Sequence, residues 1–527
     1  MATHDPGTGR HPTIFEPATL GLVVVLCVFG AIIGMQVLVT LGVSANTSLI
    51  GALVAMVLAR LPLAYFGRFR SIHRQNLAQS AISSATFGAA NSLLLPIGIP
   101  FAMGRPDLVL PMLAGAALAM LLDAYLLYRM FDTKIFPARG AWPPGVAAAE
   151  AIKAGDQGGR KAGLLGIGLA IGVGGAMLSI PMSAFGIAFI GNIWALSMFG
   201  IGLLMRGYSA TLGGIDLMAL YAPHGVMIGA GLVALVQVGR VLVAKAEDGA
   251  TAGRSDGEMR QALGLGTVAY LAIAVLIAVI GGIAAEMPVP MLVLFVVYAA
   301  FAAYVHELIV GLAAMHSGWF PAFAVALITL IIGMLIGFPP TALALLVGFS
   351  AATGPAFADM GYDLKAGFML RGDGSDPAFE RDGRRQQLLA AMAALLIAIV
   401  VVYLTYEAYF AADLIPPVDR VYAATIQAGV APGVALSLFL WAIPGGLIQY
   451  FGGASRQMGI LFATGLLIAS PAAGWAVLAG IVLRMIWTRM DRPDGQSQME
   501  VVAAGVIAGD ALYTFFGSVL KNLAGSR

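Results

Sequence analysis

Hydrophobic positions in this chain come in long unbroken runs. Residues 20–59, 75–103, 162–205, 261–285 and 430–455 contain no Asp, Glu, Lys or Arg. Runs of this length predict membrane-crossing helices of roughly 20 residues, not the alternating segments of a β-barrel. Uncharged windows place helices near 20–41, 47–66, 75–100, 108–128, 162–181, 185–205, 222–243, 262–284, 288–310, 319–337, 340–360, 387–409, 430–450, 457–471, 473–488 and 500–520. That predicts about sixteen spans in an all-α polytopic membrane protein. The only hydrophilic stretches of any length are 244–260 and 371–386.

The pattern repeats. "WPPGVAAAEAIKAG" ending at Gly155 is echoed by "IPPVDRVYAATIQAG" ending at Gly429, and "YLLY" (Tyr125 to Tyr128) by "YLTY" (Tyr403 to Tyr406), at offsets of 274 and 278 residues. The echoes predict two related halves: a cytoplasmic tail (1–16), a first transmembrane half (17–245), a central linker (246–260) and a second transmembrane half (261–527). Pro-Pro, about ten helix formers and a glycine describe a half-helix, which proline starts and glycine ends. Duplicated half-helices mark the substrate site of a secondary transporter, because their free backbone groups and dipole ends meet a ligand.

Composition agrees. In 527 residues, 60% are hydrophobic and 11% charged, against about 25% charged in soluble domains, and mean hydropathy is +0.90. Basic residues gather in a few connections: Arg68, Arg70 and Arg74; Arg129, Lys134 and Arg139; Arg240, Lys245 and Arg254; Arg371 to Arg385; Arg484 to Arg492. The positive-inside tendency puts these connections, and both termini, in the cytoplasm. The N-terminal stretch lacks a basic n-region and a cleavage site, so it reads as a retained tail. A net charge of +2 and the absence of a basic run give no nucleic-acid footprint. Cys27 is the single cysteine, which excludes internal disulfides. No metal site or cofactor is expected, since "HELIVGLAAMH" does not continue as HExxH. Nor do "GYD" and "AGD" complete an aspartyl-protease signature, because Ile507 stands where its first glycine belongs.

Charges within the membrane need a partner, water or a role. Asp123 and Asp510, with apolar sequence on both sides, are the candidates for proton coupling, together with Glu150. Each equally fits a packing hydrogen bond. Glu150, Lys153, the matching Gln427, Tyr125 and Tyr403 are expected to line one midplane cavity, and Asn91 and His224 complete the candidate substrate contacts. Asp413, Asp419 and Arg420 read as solvated, His306 and Glu307 as interfacial, and Glu407 as either. From Leu308 to Ala358 there is no formal charge, and then Asp359, Asp363 and Lys365 arrive together. They read as the end of a span at the inner mouth.

Three stretches resemble the oligopeptide transporter (OPT) family, which includes the yellow-stripe-like metal-chelate transporters. "WPPGVAAAEAIKAGDQGGRKA" is similar to its Pro-x-Gly-x-Ala-x-Ala-Glu-x-(Leu or Ile)-Lys-Ala-Gly segment, at Pro144, Gly145, Ala147, Ala149, Glu150, Lys153, Ala154 and Gly155. "DLKAGFMLRG" and the later "RRQQ" resemble its Asp-Leu-Lys-x-Gly motif with a basic pair and two glutamines, at Asp363, Leu364, Lys365, Gly367, Arg384, Arg385, Gln386 and Gln387. "AAGVIAGDAL" resembles a Gly-x-x-x-Gly-Glu segment, with Asp510 in the acidic place. The chain departs from the family in interposing "RGDGSDPAFERDG" before "RRQQ" and in lacking the Asn-Pro-Gly-Pro-Phe-Asn segment of the peptide branch.

The resemblance, to a bacterial-type member, implies about sixteen spans in two halves and secondary active transport, usually proton-coupled. Substrates would be small peptides, glutathione-like compounds or amino-acid-derived metal chelates. Partners are then that small molecule, protons and the lipid bilayer of the bacterial inner membrane, with homodimerisation left open. Asp363, Lys365, Gly367, Arg384 and Arg385 are expected to form a structural or gating element. The competing class is a polytopic membrane enzyme acting on lipid or peptide, for which no nucleophile-base or metal constellation is found. A passive ion channel would show rings of charge that are missing here. Sequence leaves the halves parallel or inverted: an even span count favours the first, the basic connections the second.

Overall fold

The computed structural model describes residues 11–41, 69–243, 256–318, 322–429, 432–468, 470–490 and 495–525. Among these it is all-helical, with an isolated bridge between Phe131 and Phe136 and no strand. The first half comprises α1 (Pro17–Leu41), α2 (Ile72–Ala102), α3 (Val109–Met130), the half-helix α4 (Pro143–Gln157), α5 (Gly159–Met177), the short α6 (Met182–Ile187), α7 (Ile193–Gly213) and α8 (Ala222–Val243). The second comprises α9 (Asp256–Ile280), α10 (Val289–Ser317), α11 (Ala322–Ile336), α12 (Pro340–Ala352), α13 (Pro355–Leu370), α14 (Pro377–Ala411), the half-helix α15 (Pro417–Ala428), α16 (Val434–Gly452), α17 (Met458–Leu467), α18 (Pro471–Arg489) and α19 (Gly495–Gly525).

Among the described residues, nine helices are long and apolar enough to cross a membrane, and three shorter ones are apolar. The expected count of sixteen is not reached by this measure. The predicted helix 47–66 and most of the linker lie outside the described residues. The predicted span 185–205 is broken between α6 and α7. The predicted span 340–360 is instead α12 and α13 in series, one crossing from Pro340 to Leu370 whose most apolar stretch is wholly buried. Exposed apolar side chains on the outer helices, such as Val268, Val279, Leu404, Phe439 and Phe451, form the kind of surface that a membrane covers.

Directions decide between the two repeat arrangements. α2 starts among basic residues, where Arg74 Nε bonds Glu16 at 2.8 Å. It ends at the far side, where Arg105 NH1 bonds Thr341 Oγ1 at the start of α12, at 2.9 Å. Its counterpart α12–α13 runs the other way, from Thr341 to the basic end at Arg371. α3 returns to the basic end, where Asp132 pairs with Arg384 at 2.8 Å. α14 leaves that end, and its Phe410 stacks on Phe101 at 4.6 Å. The halves are therefore inverted. They also exchange contacts in matched pairs: α4 packs on α13 as α15 packs on the end of α2, and α5 on α19 as α8 on α16. In the last two pairs, added Cβ atoms at Gly172 and Gly229 would strike the carbonyls of Val506 and Ala442. Such small-residue seams let membrane helices approach without a hydrophobic drive.

Candidate functional site: a buried polar column

The column begins at the break between α12 and α13. Gly354 has φ +100°, a conformation that glycine tolerates and side chains rarely adopt. Pro355 then opens α13. The amide of Gly354 donates to Asp123 Oδ2 at 2.5 Å. Asp123 Oδ1 accepts from the Tyr270 hydroxyl at 2.5 Å, and that hydroxyl lies 3.1 Å from Glu307 Oε2. All three side chains are at most 1% exposed, and Glu307 Oε1 has no hydrogen-bond partner among the described residues. One hydroxyl carries one hydrogen. With that hydrogen given to Asp123, the contact to Glu307 becomes a hydrogen bond only if Glu307 carries an acid proton. Beside this trio, His306 Nδ1 lies 3.1 Å from Ser350 Oγ, which bonds Thr329.

One to two turns along α13, Asp359 and Asp363 share a face four residues apart. α2 meets them with Gln79, Ser83 and Ser84, which recur at helical spacing. Ser83 donates to Asp359. Ser84 Oγ lies 3.1 Å from Asp359 and 3.4 Å from Asp363, and Gln79 donates to Asp363 at 2.6 Å. Further along, Gln387 donates to the carbonyl of Asp363 at 2.6 Å and to Ser80 at 3.1 Å, and accepts from Arg371 at 2.8 Å. Arg371 pairs with Glu380 at 2.7 Å, Glu380 with Arg384 at 2.6 Å, and Arg384 with Asp132. Lys365 reaches the Ala138 carbonyl at 3.0 Å. Gly367 is the gap through which this crosses, since an added Cβ would strike Gln387 Oε1 and Arg371 NH1.

Several expectations are corrected. Asp359, Asp363 and Lys365 do not end a span; they are buried within α13, because α2 supplies the two carboxylates, and the Ala138 carbonyl supplies Lys365, with the partners that water was expected to supply. His306 and Glu307 are buried at mid-helix, not interfacial. The 371–386 stretch is not a free loop, for Arg371, Glu380 and Arg384 are all buried. Asp419 is buried against Gly98, with neither carboxylate oxygen partnered among the described residues, whereas Asp413 and Arg420 form an exposed pair as expected.

The candidate substrate residues separate into groups. Glu150 and Lys153 pair at 3.1 Å on α4, and Tyr125 bonds Arg129 at 3.1 Å near the basic end. Gln427 is exposed on α15, at the other end of the molecule, and Tyr403 is 55% exposed on the outer face of α14. The single midplane cavity expected from these five residues is not formed, because inversion carries the half-helices to opposite ends. Asn91 is buried where α2 winds as a π-helix, Gly88–Leu94. Asp510 accepts from the Ser183 amide at the start of α6 at 2.7 Å. His224 lines a cavity between α8, α11 and α15.

Sequence reading missed Tyr270 and the polar face of α2. The signal for the second was present, as Asn76, Gln79, Ser80, Ser83 and Ser84 fall at helical spacing inside an uncharged run.

A family model described as OPT oligopeptide transporter protein matches residues 18–244 and 214–521. No curated protein matches the chain.

Proposed function

The chain belongs to the oligopeptide transporter family, and from that membership we propose that it imports small peptides or amino-acid-derived metal chelates with protons. The family are transporters, not enzymes, and the protein is an integral membrane transporter of a small solute. In this reading it sits in the bacterial inner membrane with its basic end and both termini in the cytoplasm.

The observation that carries proton coupling is the trio of Asp123, Tyr270 and Glu307 on the Gly354 amide. With one acid proton aboard, both contacts of the Tyr270 hydroxyl are hydrogen bonds. Without that proton, two buried carboxylates face one hydroxyl, and their repulsion in a low-dielectric interior is large. Relief comes by moving α9 or α10 away, or by releasing the Gly354 amide and letting α12 and α13 bend at their junction. Loss of a proton is thereby converted into helix motion. Asp359 and Asp363 around Ser84 repeat the arrangement closer to the basic end, giving a second proton station along α13, the helix that starts beside the first. Asp510, held by Ser183, sits on a separate helix pair. Glu150, Lys153, Tyr125 and Asn91 remain the substrate contacts proposed on the first-half side.

The test is uptake of a labelled dipeptide panel and metal-chelate panel into proteoliposomes under an imposed pH gradient. Wild-type uptake should follow the gradient, and Glu307→Gln should abolish gradient-driven accumulation while retaining substrate exchange. Uptake indifferent to the gradient, or still driven by it in Glu307→Gln, overturns the reading.

A further inference from the structure

The two half-helices are related by inversion but are not equally enclosed. α4 packs along α13, α19 and α5. α15 packs on the end of α2, on α12 and on α11, yet among the described residues makes no comparable contact with α8 or α16, which correspond to α19 and α5. The space left there is a cavity of about 220 Å³ lined by Tyr221, His224, Leu327, Thr425, Gly429 and Val434, among others.

His224 is 2% exposed, and neither ring nitrogen has a hydrogen-bond partner among the described residues. Leaving both nitrogens of a buried histidine unsatisfied is costly, so its place on a cavity wall points to a ligand. Arg206 on α7 lies within electrostatic reach of His224, and its Nε is also buried without a partner. His224 therefore offers the cavity wall an unsatisfied hydrogen-bonding ring, and Arg206 behind it adds positive potential. Thr425 and Gly429, at the C-terminal end of α15, line the same cavity, and Gly429 has φ +76°. A helix C-terminus presents the negative end of its dipole and carbonyls left over from the helical ladder.

We propose that this cavity binds a small zwitterion, its carboxylate at His224 and Arg206 and its ammonium group at the C-terminal end of α15. The inference rests on the transporter reading and names how the solute would be held. The inverted counterpart, at the end of α4, differs: there Lys153 pairs with Glu150 at 3.1 Å, and Glu500 on α19 lies within electrostatic reach of both.

The experiment uses the purified full-length protein with dialanine, dialanine amide and N-acetyl-dialanine as probes, read by calorimetric titration, with dialanine uptake measured in proteoliposomes. Wild type should bind dialanine at least tenfold more tightly than either blocked analogue. Arg206→Gln should weaken dialanine about tenfold and leave dialanine amide unchanged, erasing the discrimination. His224→Phe should weaken both carboxylate-bearing probes, and His224→Gln, which keeps a donor, should weaken them less and covers the case in which the phenylalanine variant fails to fold. Equal binding of dialanine and its amide by wild type, or dialanine binding and uptake unaltered in Arg206→Gln and His224→Gln, overturns this site while the transporter reading stands. A wild type that neither binds nor takes up dialanine overturns both this site and peptide import.

Discussion

At the scale of single residues, the site is a set of carboxylates whose partners come from far along the chain. Asp123 was legible because one acid lies between full turns of apolar helix. Glu307, Asp359 and Asp363 were not, since the groups that allow their burial, Tyr270, Ser83, Ser84 and Gln79, come from other helices and nothing local announces them. Gly367 is the clearest case of a motif position with a steric reason: it stands where Gln387 and Arg371 cross. Gly367→Ala should therefore push apart the Arg371–Gln387 bond and cost about 1–3 kcal/mol, the usual range for overpacking a dense core. Gly163→Ala on α5, with nothing within 4 Å of the new methyl, should be neutral or stabilising by up to about 1 kcal/mol, because alanine favours helix. Thermal unfolding of both variants in detergent checks the contrast, and equal melting temperatures would refute the steric role of Gly367.

At the scale of elements, the Pro-Pro and glycine punctuation located both half-helices. α15 ends at Gly429 as predicted, while α4 runs two residues past Gly155 to Gln157 and turns at Gly158, φ +65°. The N-terminal stretch was less legible. It reads as a solvated tail because its sequence is polar, yet Ile14 is fully buried and its amide donates to Gln386 at 3.1 Å. His11 packs between His73 and Phe379. Burial first, then the nearby Arg371, lowers the His11 pKa from 6.5 to about 3. The docked segment thus holds the neutral imidazole, and once released it regains its ordinary affinity for a proton. Docking is fully stable above pH 6.5 and weakens as pH falls from there toward 3. At pH 5 the loss amounts to about 2 kcal/mol at 1.36 kcal/mol per pH unit. A nitroxide on Phe15→Cys, at a 59% exposed position, should gain mobility between pH 7.5 and 5. The additional change His11→Phe should abolish that pH dependence; mobility that still rises with acid in the double variant would show that another group controls docking.

At the scale of the whole molecule, hydropathy gave an all-helical membrane protein and the echo gave two halves. Their relative direction required the tertiary structure, because it depends on which ends of α2, α3, α13 and α14 meet. Arg105 reaching Thr341 and Asp132 reaching Arg384 fix corresponding helices as antiparallel. The prediction is a topology. Asp107, just before α3, and Ser375, just before α14, are corresponding points of the two halves. Inversion puts them on opposite sides of the membrane, whereas parallel repeats would put them on the same side. Asp413, after α14, must share the side of Asp107. All three are exposed, and the native Cys27 is buried, so background labelling is low. With a membrane-impermeant maleimide on intact cells, Asp107→Cys and Asp413→Cys should label directly. Ser375→Cys should label only after permeabilisation, since the basic end faces the cytoplasm by the positive-inside tendency. Labelling of Asp107→Cys and Ser375→Cys from one side would break the inverted repeat. Separation with the sides exchanged would keep the fold and reverse its orientation, and the cavity at α15 would then open to the cytoplasm and serve release before it served capture.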